Sequence, residues 1–148
     1  MRDQRIEGFF PNLTEDSYSI TSPESIDYNC IAWAVGNNSV WWWPDAQFLG
    51  YWPPEIPRTE TLDAFIKAYE NFGYILCEDA SVELGFEKVA IYVDSEEKPT
   101  HAARQLISGR WTSKLGRLED IEHDSLDRLK GLEYGSVAAI LKRPTAVV

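Results

Sequence analysis

Cys30 has the sequence surroundings of a reactive thiol. It follows Tyr28 and lies in a short apolar run, residues 29–36, whose alanines and final glycine predict a helix that begins near Cys30. The run is short, so its period alone leaves a strand as the alternative. A thiol at a helix N-terminus gains from the helix dipole and from backbone N–H groups that have no intrahelical acceptor. Both favour the nucleophilic thiolate, and the same N–H groups suit an oxyanion. The alternative interpretation is a small buried cysteine, which is common in protein cores.

A cysteine nucleophile needs a base, and the chain has two histidines. His101 stands near the beginning of a predicted strand, where an imidazole facing the helix could take the thiol proton. His123 lies between Glu122 and Asp124, which favours a solvated or hydrogen-bonded structural histidine, with a role beside the substrate as the alternative. A structural role is also the alternative for His101.

Other chemistries have weaker support in the sequence. Cys77 sits in the strand-like segment Tyr-Ile-Leu-Cys-Glu, which predicts a buried, inert thiol. The two cysteines and two histidines lack the close pairing of zinc ligands, so we expect no metal. The glycines are scattered, and no Gly-x-Ser-x-Gly motif is present, so we expect neither a nucleotide cofactor nor a serine hydrolase.

Residues 37–58 form a proline- and aromatic-rich segment that predicts a long loop. Its clustered tryptophans are Trp41, Trp42, Trp43 and Trp52. Large aromatic side chains most often cover a core, but they also line substrate clefts or stack on sugars. A carbohydrate-binding loop is therefore a competing functional hypothesis.

The remaining patterns predict one α+β domain over residues 1–148, with its core at about 26–142. Residues 59–72 are amphipathic and predict a helix with an Asp63–Lys67 pair. Strands are predicted at residues 74–77, 87–93, 100–107, 110–115 and 136–141, with a short helix at 124–130 and no clear pattern before residue 23. Helices followed by a run of strands indicate an antiparallel sheet.

Composition restricts the location and the partners. The net charge is −10, with the acidic excess in residues 1–97, which disfavours nucleic-acid binding. No run of 18 apolar residues is present, and the charged N-terminus lacks the apolar region of a signal peptide. We therefore expect a cytoplasmic protein with reduced cysteines and no membrane contact.

The order of these motifs resembles the compact papain-like families, the NlpC-like and CHAP-like branch. The resemblance covers roughly residues 26–142 and is closest to an uncharacterised bacterial group within that branch. It rests on Asn29-Cys30-Ile31-Ala32-Trp33-Ala34, Thr100-His101-Ala102-Ala103, the strand Trp111-Thr112-Ser113-Lys114 followed by Leu115-Gly116, and Tyr134-Gly135.

The resemblance implies a papain-like fold, with an N-terminal nucleophile helix packed on a small antiparallel sheet. It also implies a cysteine peptidase or amidase acting on an amide, isopeptide or acyl bond in a peptide, protein or acyl-amide substrate, with Cys30 as nucleophile and His101 as base. A third residue orients the imidazole. Ser113 is the candidate, because the strand after His101 carries no Asn or Asp, and His123 is the fallback. Asn29, Trp33, Trp111 and His123 are the candidate oxyanion or substrate contacts.

The missing Asn or Asp also supports a different class of function. A papain-like domain without catalytic activity would serve as a protein-binding or immunity-type module. The separation of the Cys30 sulfur from the His101 ring is the observation that best distinguishes the two hypotheses.

Overall fold

The structure, a computed structural model, describes residues 3–14, 16–37, 39–45, 47–115 and 118–145. Within these ranges the chain forms three α-helices, seven strands and one 3₁₀ turn. The helices are α1 (Gln4–Phe9), α2 (Cys30–Ala34) and α3 (Leu62–Glu70). The strands are β1 (Tyr18–Ser22), β2 (Ile75–Cys77), β3 (Phe86–Val93), β4 (Pro99–Gln105), β5 (Trp111–Lys114), β6 (Asp120–His123) and β7 (Ser136–Pro144), and the 3₁₀ turn is Leu126–Leu129.

All seven strands join one sheet in the order β1-β6-β5-β4-β3-β7-β2. Every neighbouring pair is antiparallel. The expected fold, a papain-like nucleophile helix packed on a small sheet, is therefore wrong. The sheet is the dominant element, since β1 and β6, which the sequence did not predict, extend it beyond β5, and α2 has only five residues.

Each face of the sheet carries its own hydrophobic core. The helix-face core lies under α2 and α3 and includes Cys30, Phe65, Ile91, Ala102 and Leu141. The far-face core lies on the other side. It includes Ile6 and Phe10 from the N-terminal segment, together with Tyr92, Trp111 and Ile121 from the sheet. Because side chains alternate along a strand, neighbouring residues of β3 and β4 contribute to opposite cores.

Most of the predicted elements are present with shifted ends. The helix predicted at 59–72 is α3, capped by the Thr61 side chain, and the Asp63–Lys67 pair has an N–O distance of 2.9 Å. Gly36 follows α2 with φ 93°, as a helix-ending glycine should. The helix predicted at 124–130 is only the 3₁₀ turn.

The aromatic loop is fastened to the helix beside Cys30. The Asn29 side chain caps α2 by accepting from the Ala32 N–H, and it also bonds both the N–H and the carbonyl of Trp42. Trp42 pairs with Tyr51 as an isolated parallel bridge, and both Trp42 and Trp52 are buried. The loop is thus partly core and partly surface.

Gly135 brings the chain unusually close to β3. Its φ is 75°, and a Cβ there would overlap the Val93 carbonyl oxygen. Only glycine fits such an approach without a backbone shift. The consequence is local but important, because the preceding residue, Tyr134, packs flat on His101.

Candidate functional site

The predicted nucleophile is buried at the start of α2. Cys30 is only 5% exposed and is a free thiol. Burial raises the pKa of this thiol to about 11, although hydrogen bonds from the backbone N–H groups of Ala102 and Ile31 act in the opposite direction. At neutral pH the thiol is therefore protonated, and a resting thiolate is not the state that this structure favours.

His101 belongs to the other face of the sheet. Its ring stacks on Tyr134, with centroids 4.1 Å apart and planes 9° apart, and it meets Tyr92 edge-on. Cys30 packs in the helix-face core with Ala102, the residue next to His101. In the described structure no hydrogen bond joins the Cys30 sulfur to the His101 ring, and His101 Nδ1 has no partner. The Cys30–His101 dyad therefore stays a prediction, and its two side chains are not hydrogen-bonded in this structure.

Ser113 does contact His101, in the way an orienting residue would. Its Oγ lies 2.9 Å from His101 Nε2 and 2.8 Å from His123 Nε2. His123 Nδ1 lies 2.9 Å from the Ser125 carbonyl oxygen. These four residues form a buried polar chain that crosses from β4 to β5 and β6.

The hydrogen bonds of this buried polar chain fix the proton positions on both imidazole rings. The Ser125 carbonyl accepts only, so His123 carries its proton on Nδ1 and accepts the Ser113 hydroxyl proton at Nε2. Ser113 Oγ then accepts from His101 Nε2–H, which leaves His101 Nδ1 with a bare lone pair. Burial, and then His123, hold the pKa of His101 well below its ordinary value. Burial also lowers the pKa of His123 to about 4.

The β4–β5 ladder ends before it reaches the predicted site. Its paired residues are Arg104–Thr112 and Gln105–Trp111. Beyond the ladder, the His101–Ser113 side-chain bond joins the two strands on the far face. On the helix face, the Cys30 thiol takes the Ala102 N–H. The thiol and the imidazole therefore lie on opposite faces beside the same buried segment of β4.

The other predicted oxyanion or substrate residues make structural contacts within the protein. Asn29 is the helix cap and loop tether described above, and its amide nitrogen donates to the Trp42 carbonyl. Trp33 donates to Thr112 Oγ1 at 3.1 Å and lies under the Arg104 guanidinium. Trp111 is buried in the far-face core, away from Cys30. Cys77, predicted to be buried, is partly exposed on strand β2.

A second buried polar cluster lies beside Cys30 and was not predicted. Asp120 Oδ2 accepts from the Tyr28 hydroxyl at 2.6 Å, while Lys114 is fully buried and donates to the Ser25 and Leu118 carbonyls. The Lys114 charge lowers the pKa of the Cys30 thiol slightly. Only the polarity of β5 and β6 signalled this cluster in the sequence, and polar strands usually indicate solvent.

The described residues hold no group of three or more His, Cys, Asp or Glu side chains suited to a metal ion. In the same residues, no helix combines the length and apolar character that a membrane crossing needs.

In the comparison with known proteins, a family model matches residues 19–142. The matching family is described as a domain of unknown function, DUF7689. The chain belongs to this family. No curated protein and no solved structure matches the chain. For this DUF7689 domain, the relationship to the papain-like families therefore remains a prediction from the motifs alone.

Proposed function

We propose that this DUF7689 protein is a cysteine-dependent hydrolase of an amide, isopeptide or acyl bond, with Cys30 as nucleophile and His101 Nδ1 as general base. One observation supports the proposal most directly. The hydrogen bonds through Ser113 and His123 leave a buried lone pair without a partner on His101 Nδ1. His101 is the neighbour of Ala102, whose N–H contacts the thiol. An unpartnered buried nitrogen costs about 1–3 kcal/mol, so it is an unusual feature for a purely structural histidine.

The proposed reaction begins from a neutral pair. As the Cys30 sulfur attacks the substrate carbonyl, its proton passes to His101 Nδ1, and a sulfur–carbon bond forms. Ser113 accepts from Nε2–H throughout and so stabilises the imidazolium. Nδ1–H then protonates the leaving nitrogen or oxygen as its bond to the acyl carbon breaks. Water, deprotonated at Nδ1, hydrolyses the thioester and restores the thiol.

The reaction requires the thiol and the imidazole to come within hydrogen-bond reach. They are not bonded in this structure, and catalytic contacts are often looser without substrate. They would meet beside Ala102, whose N–H already contacts the thiol. The first N–H groups of α2, at Cys30 and Ile31, are the proposed oxyanion donors.

A binding module without catalytic activity is the second candidate. The burial of Cys30 and the raised pKa of its thiol favour it, because both oppose nucleophilic attack. Under the binding-module hypothesis, the buried polar chain only stabilises the sheet.

The test is acylation of Cys30 by p-nitrophenyl acetate in a Cys77→Ser background. We expect one nitrophenolate released in a burst per chain and an acetyl thioester on the Cys30 peptide by mass spectrometry. His101→Asn should slow this acylation by at least about 10²-fold. The matched control, His123→Asn, breaks the same series of hydrogen bonds on the far side of Ser113 and should slow acylation less.

The pH profile tests the same step without a variant that could unfold. A neutral His101 base gives a rate that is level from about pH 7 to pH 9, because its pKa lies below that range. An unassisted thiol with a pKa of about 11 gives a rate that rises tenfold per pH unit. The rising profile, or equal rates for native and urea-unfolded chains, would overturn the hydrolase proposal in favour of the binding module.

A further inference from the structure

A cavity of about 510 Å³ opens between the segment that leads into α2 and the aromatic loop. Its apolar walls include Ile26, Trp41, Trp43 and Leu49, and Asp45 contributes a carboxylate. The volume is in the range of pockets that bind small ligands or single peptide side chains.

The cavity lies at the end of α2 that carries Cys30. Ile26 comes four residues before the thiol. Asn29, the neighbour of Cys30, holds the backbone of Trp42 at 2.6 and 3.0 Å, between the two tryptophans that line the cavity. Both walls of the cavity are therefore joined to Asn29, the residue before the nucleophile: one wall through the polypeptide chain and the other through these hydrogen bonds.

The loop wall is held by its own hydrogen bonds. Both oxygens of Asp45 accept at 2.8 Å, from the Leu49 and Gly50 N–H groups. Arg58 donates to the Asp45 and Gly50 carbonyls at 2.9 and 3.1 Å. A Cβ at Gly50 would lie 3.0 Å from the Trp43 backbone, so the turn is closely packed. Such a preformed wall lowers the ordering cost of binding.

Two features define the group that would fit. Ile26 and Leu49 are 70% and 87% exposed, so their apolar surface is available to a ligand. Glu24 and Asp27 line an adjoining depression that shares Ile26 with the cavity. Glu24 already pairs with the Arg5 guanidinium, at an N–O distance of 3.6 Å. Asp27 has no ion-pair partner among the described side chains, and the chain as a whole has a net charge of −10. The rim therefore favours a cation.

We propose that this cavity is the substrate-binding subsite of the Cys30 enzyme, and that it binds a peptide segment with a large apolar side chain followed by a basic residue. The apolar side chain occupies the space between Ile26, Trp43 and Leu49. The basic side chain lies over Asp27. The role as a substrate subsite rests on the proposed hydrolase function, whereas the binding preference does not.

The test measures binding by calorimetry in the Cys30→Ala variant, which cannot turn over. The probes are acetyl-phenylalanyl-lysine amide, its glutamate counterpart, acetyl-glycyl-lysine amide and cellobiose. We expect the first to bind at least about tenfold more tightly than the others, and more weakly as salt is added. Ile26→Ala and Leu49→Ala should each weaken it by about fivefold or more. Leu84→Ala is the matched control, because Leu84 is 99% exposed and lines a different cavity.

The outcomes separate the two proposals. Equal binding of the four probes, preference for cellobiose, or equal effects of the Ile26, Leu49 and Leu84 variants overturns the subsite. Selective binding together with no acylation of Cys30 supports the peptide-binding cavity and refutes the hydrolase. Cys30 could instead be acylated at the same rate in the Ile26 and Leu49 variants, with phenylalanyl and glycyl esters reacting equally. That outcome refutes the subsite proposal and leaves the hydrolase proposal standing.

Discussion

At the scale of single residues, the main feature is a hydrogen-bonded chain that starts at a backbone carbonyl and ends at a bare nitrogen. Each atom along it has one role, which follows from the acceptor at Ser125. His101 and Ser113 were predicted together from the resemblance, and they do meet. The Ser125 end of the chain was not predicted, because a carbonyl two residues after His123 leaves no signal in the side-chain pattern.

The buried imidazoles give a first prediction, on the pH dependence of stability. Both rings are neutral when folded, and the pKa of His123 is about 4, below the value near 6.5 expected for the unfolded chain. The unfolded chain therefore binds more protons below pH 6.5, and stability falls as the pH drops from there towards 4. For His123 we expect a loss of about 2 kcal/mol between pH 7 and pH 5, to which His101 adds in the same direction.

Urea unfolding at pH 7 and at pH 5 measures this loss. The control is the double variant His101→Gln and His123→Gln, which should be less stable at pH 7 but nearly independent of pH in this range. An equal pH dependence in both proteins would mean that other groups cause it.

At the scale of elements, Asn29 joins α2 to the aromatic loop. We predict that Asn29→Ala lowers the free energy of unfolding by about 2–3 kcal/mol, because the variant loses the helix cap and leaves both backbone groups of Trp42 without their partner. Tryptophan emission should also shift to the red as the loop loosens. Thiol accessibility and urea unfolding can be followed on the same samples.

Thr61→Ala is the matched control for that variant. Thr61 caps α3 by accepting from the Ala64 N–H, and its hydroxyl also bonds the nearby Thr59 hydroxyl, with no bond to the aromatic loop. Its loss should cost about 1 kcal/mol with unchanged emission. Similar effects of the two variants would show that the tether to Trp42 contributes little.

Gly135 gives a second prediction at this scale. Gly135→Ala combines a left-handed backbone with an overlap against Val93, and we expect it to cost more than about 3 kcal/mol and to disturb the Tyr134–His101 stack. Gly73 has φ 92° but nothing within 4 Å of an added Cβ. Gly73→Ala should therefore cost only about 1–2 kcal/mol by urea unfolding. A smaller loss at Gly135 than at Gly73 would contradict the close approach.

The elements that sequence patterns missed are those in which tertiary contacts override local preference. β6 is Asp-Ile-Glu-His, three polar residues in four, yet Asp120 and His123 are fully buried because Tyr28 and Ser113 bond them. β1 is short and partly polar, and it is fixed by pairing with β6. By contrast, α3 and β3 were predicted almost in full, because their apolar periods are long and regular.

At the scale of the whole molecule, two cores share one sheet. Strands β3, β4 and β7 each contribute side chains to both cores. Neither core can therefore unfold without disrupting strands that support the other. We predict a single cooperative transition, in which far-ultraviolet circular dichroism and tryptophan fluorescence coincide in urea.

Phe65→Ala in the helix-face core and Ile6→Ala in the far-face core should each lower stability by about 2–5 kcal/mol and shift both signals together. Circular dichroism and fluorescence midpoints that separate in either variant would show that the faces unfold independently.

The predicted fold class is wrong at this same scale. Residues 1–22 show no clear period, so sequence patterns predict a small sheet without the edge strand β1. The resemblance to papain-like families concerns one helix and its facing strand, whereas the structure joins seven strands in one sheet.

The N-terminal segment also bears on where this domain can be cut. The family match begins at residue 19, but Ile6, Phe10 and Leu13 lie within the far-face core, and Arg5 contacts both carboxylate oxygens of Glu119 at 2.6 and 2.8 Å. A truncation to the matched residues would uncover Tyr92 and Trp111 and leave a broad apolar surface prone to aggregation. The limits of recognisable sequence similarity are therefore narrower than the limits of the folding unit.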